Sequence, residues 1–112
     1  MSIKLLSRSE EFVLITVWRL QQDAYSLAIQ QEVSKITKQE WSLGSIYTPL
    51  ERLHRKRFLT SKLSASTPER GGRKKRLYEL TDSGKQALIH VRTVQKDMWN
   101  GVMDFAFGGV QR

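Results

Sequence analysis

The sequence predicts a mainly α-helical chain with one small β-hairpin, and three observations carry that reading. Successive segments of the first half space their apolar residues three and four apart, as helices do. Two later segments, FLTSKLSA and RLYELT, alternate apolar and polar residues at a period of two, as half-buried strands do. Between them lies STPERGGRKK, whose proline and paired glycines mark a hairpin loop, and a long apolar-striped segment follows. At 112 residues, 39% hydrophobic and 27% charged, the chain has the composition of one folded domain with a real core.

The first helix is expected from Ser9, as its cap, to about Gln22. Glu10 and Glu11 favour its positive N-terminal end, and FVLITVWRL contains no breaker. That run is apolar nearly all round, which predicts burial on several sides or a face shared with a second chain. A second helix runs from Tyr25 to about Lys38 with Ile29, Val33 and Ile36 inward. The turn QEWSLGS then leads to a third helix, IYTPLERLHRKRF, capped at Ser45. Ile46, Leu50 and Leu53 form its inward stripe, and Thr48, Arg52 and Arg55 the opposite one. Pro49 is comfortable only in a first turn, so either this helix begins near Thr48 or it lacks one early hydrogen bond. After the hairpin, Thr81 caps a last helix with Leu88, Val91, Val94, Met98 and Val102 along one broad face.

Charge is distributed unevenly. The net +8 lies entirely in residues 51–76, where ten Lys/Arg stand against Glu51 and Glu69. A polyanion is the natural partner of such a focus, because neutralised phosphates release their condensed counterions. Nucleic acid leads and an anionic membrane surface follows. Catalysis finds no candidate: His54 and His90 are far apart, no candidate nucleophile has a base within local reach, and Gly71-Gly72 lacks the context of a dinucleotide fingerprint. With no cysteine, disulfides and thiolate metal sites are excluded, and neither a metal nor a cofactor is expected. No membrane span is long enough, and MSIKLLSRSEE turns acidic too soon for a secretory signal, so a cytoplasmic location is expected.

Three helices and a hairpin, with polar and cationic residues opposite the third helix's core stripe, make a winged helix-turn-helix plan. Such a helix fits the major groove of B-form DNA, where base edges present distinguishable donors and acceptors. Ser45, Tyr47, Thr48 and Arg52 are the candidates at base edges and adjacent phosphates. Arg70, Arg73, Lys74, Lys75 and Arg76, on the hairpin tip and its returning strand, are the candidates for phosphates.

Two motifs, SIYTPLERL at residues 45–53 and GGRKKRLYELTDSG at 71–84, stand at the separation found in the PadR family of bacterial transcriptional regulators, which the chain resembles from about Phe12 to Gly84. Ser26 and Leu27 depart from the family's usual Gly and Tyr, and Pro49 stands one place late. The resemblance implies a winged-helix DNA-binding domain at 1–81 and, at 82–112, a single C-terminal dimerisation helix as in the family's smaller members. It implies a homodimer on a roughly palindromic operator, usually repressing, and in some members release by a flat apolar effector. Leu88, Val91, Met98, Trp99 and Val102 are the expected interface residues. Trp99, with Phe12 or Ile15 of a partner, is the candidate lining of an effector slot; Trp18 and Trp41 read as packing residues. The alternatives are a sensor or protein-interaction module on the same scaffold without specific DNA binding, and a non-specific nucleic-acid binder.

Overall fold

The computed structural model describes residues 6–64 and 75–106. Helices α1 (Arg8–Leu20), α2 (Ser26–Thr37) and α3 (Leu43–Arg55) are followed by strands β1 (Leu59–Leu63) and β2 (Arg76–Leu80), then by α4 (Asp82–Trp99) and the short α5 (Val102–Ala106). A single 3-10 turn, Gln21–Asp23, links α1 to α2. Val13, Leu14 and Val17 of α1, Ile29 and Val33 of α2, and Ile46, Leu50 and Leu53 of α3 meet in one core. Phe58, Leu59, Leu80 and Leu88 extend this core under the hairpin and the start of α4. Among the described residues no helix is long and apolar enough to cross a membrane.

Several boundaries differ from the sequence expectation, each for a local reason. Ser7, not Ser9, caps α1. Its Oγ accepts from the Glu10 amide at 3.2 Å, while Glu10 accepts the Ser7 amide at 2.8 Å, a reciprocal box that requires Glu three places after the cap. Ser42, not Ser45, caps α3, so this helix begins at Leu43 and carries the buried Pro49 in its interior. Of the two alternatives that Pro49 posed, the missing hydrogen bond is the one realised: the ring supplies no N–H to the carbonyl of Ser45. The last helix ends at Trp99; Gly101, at φ +83, turns the chain before α5, so among the described residues two C-terminal helices stand in place of one running through Val102.

At its far end α3 closes in a Schellman motif. The Phe58 amide donates to Leu53 O at 2.9 Å and the Arg57 amide to His54 O at 3.0 Å, with Arg57 at φ +65. The chain is thereby turned directly into β1. The strands pair antiparallel, Leu59 opposite Leu80 and Leu63 opposite Arg76. A two-stranded hairpin is marginal alone, and here the linker between α1 and α2 supports it. Tyr25 bridges to Leu77, and the Tyr78 amide donates to Ala24 O at 2.8 Å. Thr81 caps α4 as expected, accepting from the Gly84 amide at 3.0 Å, and its hydroxyl also donates to Arg57 O at 2.7 Å.

Candidate nucleic-acid interface

Two stripes divide α3 because its apolar residues recur at four and three. Ile46, Leu50 and Leu53 are essentially inaccessible, whereas Ser45, Tyr47, Thr48, Glu51, Arg52, His54 and Arg55 are exposed. The Ser45 hydroxyl lies 2.8 Å from that of Ser42 and belongs to the cap. Thr48 Oγ1 makes only a long 3.4 Å bond back to Gly44 O, which leaves it available to an outside partner. Tyr47 is half exposed, with its hydroxyl 3.3 Å from Ser26 Oγ, so it also ties α3 to the start of α2. Among the described residues the Arg52 guanidinium has no hydrogen bond or ion pair, and it stands free in solvent. Lys56 turns inward instead, 3.0 Å from Glu10.

The hairpin lies beside this helix. Ser61 faces Tyr78 across the strands, and Arg76 Nη1 donates to Ser61 Oγ at 3.0 Å. With Tyr47, Thr48, Glu51 and His54 these residues line an open cleft of about 380 Å³ between α3 and the hairpin. Burial pushes the Tyr78 phenol above its ordinary value of 10.0; the Arg76 guanidinium pulls it partly back and Tyr47 adds to the rise. Tyr78 therefore remains a protonated donor at neutral pH, suited to an anionic oxygen. Lys75 sits at the loop end of the strand pair, its backbone bonded twice to Ser64 and its ammonium 4.0 Å from the centre of the Tyr25 ring. A cation so placed is partly satisfied within the protein. Arg70, Arg73 and Lys74 lie outside the described residues.

Tyr47 and Thr48 thus line the cleft that Arg76 faces from the hairpin, while Ser45, in the cap, and Arg52 are exposed on α3 outside it. Tyr78, Ser61 and Glu51 join that surface without having been singled out in the sequence. The period-two alternation that puts Leu80 inward puts Tyr78 on the same side, which was the available signal. His54 is exposed in this cleft, and His90 is exposed on α4.

The residues expected at an effector slot and an interface separate into two groups. Phe12 and Ile15 line a groove of about 550 Å³ between α1 and α2, closed by Val33, Ile36 and Trp41. Trp41, expected to be a packing residue, does pack, with its indole N–H donating to Thr37 Oγ1 at 3.1 Å, yet it is also a wall of this groove. Trp18 packs against the core. Trp99 is elsewhere, more than half exposed near the end of α4 beside Met98, which is 74% exposed. Val102 follows on α5 and is also exposed. Leu88 and Val91 correct the expectation: both are buried within this chain, facing its own core where α4 crosses it. The exposed part of this stripe begins one turn later, at Val94, and Ile89 is also exposed on another side of α4.

No curated protein matches the sequence. Among solved structures, a Streptococcus mutans protein superposes with a TM-score of 0.70 at 18% identity over 99% of each chain. A PadR-like transcriptional regulator from Bacillus cereus gives 0.65 at 24% identity, covering 88% of this chain and 87% of its own. S. aureus MepR, in a variant form bound to an oligodeoxyribonucleotide, gives 0.60 at 16% identity over 88% of this chain and 64% of that one. Identities this low establish a shared winged-helix fold. The sequence itself establishes more: a family model, the transcriptional regulator PadR-like family, matches residues 14–90, from the first core helix through the hairpin to the middle of α4. The chain therefore belongs to the PadR-like family of transcriptional regulators.

Proposed function

We propose that this DNA-binding regulator acts as a homodimeric repressor, occupying a roughly palindromic operator and leaving it when a flat apolar compound binds. One observation carries the DNA reading. An exposed polar and cationic stripe on α3 lies opposite a fully buried one, beside the hairpin, in the quarter of the chain that holds all its excess charge. A protruding helix of this kind can place Thr48 and Arg52 against base edges, while Arg76, Tyr78 and the hairpin cations engage phosphates. Such occupancy blocks a promoter without further machinery, which favours repression, and the work is done where the DNA lies, in the cytoplasm.

Two unmatched apolar surfaces support the dimer. Val94, Met98, Trp99 and Val102 are exposed at the end of one chain, and Phe12, Ile15, Ile36 and Trp41 line a groove in its body. A two-fold axis lets each chain's α4 cover the other's α1. It also sets the two recognition helices about 34 Å, or a multiple of that, apart. In that dimer Trp99 meets the partner's groove at Phe12 and Ile15, and this groove is where we place a planar effector. Selection from a random DNA pool tests the reading directly. A palindrome with half-sites one or two helical turns apart is expected; recovery of no motif would reject sequence-specific regulation.

A further inference from the structure

Glu51 is the one acid among the thirteen residues of α3, and it stands in the middle of the stripe that Thr48, Arg52 and Arg55 share. Its side chain is 76% exposed and lines the cleft facing the hairpin. Its one ion pair among the described residues is with Arg55, at 3.8 Å and itself 73% exposed. So long and wet a pair is a weak reason for an acid to be here. On DNA the position is adverse, because an ionised carboxylate only accepts hydrogen bonds and phosphates offer it none. The donors it can meet in the major groove are the exocyclic amino groups of cytosine and adenine. Adenine carries the N7 lone pair beside its amino group, which repels a carboxylate, whereas cytosine has a C–H there. Arg55 partly neutralises Glu51 and so reduces the cost of bringing it among phosphates.

We infer that Glu51 is a specificity-determining residue that accepts a hydrogen bond from cytosine N4 and fixes one C·G pair in each half-site. This rests on the DNA reading above, and the experiment separates the two. Bound sequences are selected from a random pool with the wild-type protein, Glu51→Ala and Glu51→Gln, after thermal melts show all three folded. The wild type is expected to require cytosine at one position per half-site. Glu51→Ala should lose about ten-fold discrimination at that position alone, while binding unrelated DNA at least as tightly. Glu51→Gln, which can both donate and accept, should move the preference toward adenine. A wild-type motif returned unchanged by Glu51→Ala would overturn the role of Glu51 and leave the DNA reading intact. No motif from the wild type would overturn both.

Discussion

A Cβ placed on Gly84 would overlap the carbonyl oxygen of Phe58, and that carbonyl also accepts the Thr81 amide at 3.1 Å. The first turn of α4 therefore lies directly on the backbone that leaves α3, where only glycine fits. Gly84→Ala has no flexible side chain to displace, so α4 or the Phe58 peptide must shift. A loss of about 1–3 kcal/mol is expected, typical of overpacking, read as a fall in melting temperature at fixed protein concentration. An unchanged melt would show the contact to be looser than it looks. Glu10 works in the opposite sense, as a buried polar group that is fully used. Burial alone would raise its carboxyl, but the Ser7 amide and the Lys56 ammonium outweigh burial and hold it below the ordinary 4.5. A carboxyl lowered by folding stabilises above its unfolded value and loses that contribution as pH falls through the folded one. Wild type should therefore exceed Glu10→Gln in stability at neutral pH, with the gap closing as pH drops below about 4.5. Melts from pH 7 to pH 3 that run parallel for the two proteins would rule the linkage out.

At the scale of elements, the hairpin joins the fold to the proposed function, and its residues divide by role. Arg73→Ala with Lys74→Ala should weaken specific and non-specific DNA binding alike. The slope of log affinity against log salt should shrink by about one unit per lost phosphate contact, with the melt unchanged. Lys75→Ala should behave differently, because its ammonium rests on Tyr25. It should lower stability slightly and change the salt slope less than either neighbour does. An equal loss of slope from all three would mean that Lys75 leaves Tyr25 on binding DNA. This division was not legible in the sequence, where Lys75 is one cation of a run; its partner lies fifty residues away and meets it only through the tertiary bridge between Tyr25 and Leu77. What was legible is local. The two-residue alternation located both strands, and the stripes of α3 separated Ile46, Leu50 and Leu53 from Thr48 and Arg52. Thr81 was recognisable as a cap for the same reason. The capping errors were local too: Ser7 and Ser9 are chemically alike, and what distinguishes them is Glu10 three residues after Ser7. At α3, Pro49 suggested a late start, but the Ser42 cap and the buried stripe outweigh one missing hydrogen bond.

For the whole molecule, the question is what covers the end of α4. Sequence periodicity marked one continuous stripe from Leu88 to Val102, and the fold divides it. Leu88 and Val91 seal the chain's own core, whereas Val94, Met98 and Trp99 project past it. Glu11 helps set that projection: its carboxylate accepts from Gln95 Nε2 at 3.1 Å and 3.2 Å, fixing α4 against α1 one turn before Met98. The exposed segment is thus held at a defined angle, as an interface needs. Met98→Glu places a charge in the proposed contact without touching the monomer's core, since Met98 is 74% exposed. Sedimentation should show the wild type as a dimer at micromolar concentration and Met98→Glu as a folded monomer with an unchanged far-ultraviolet spectrum. Operator affinity should collapse with the dimer, because a single winged helix keeps only half of the contacts. Non-specific binding per chain should persist, since the hairpin and α3 are intact. A wild-type monomer would end the dimer proposal, and a Met98→Glu dimer that still binds the operator would place the interface elsewhere; either removes the basis for an effector slot beside Trp99.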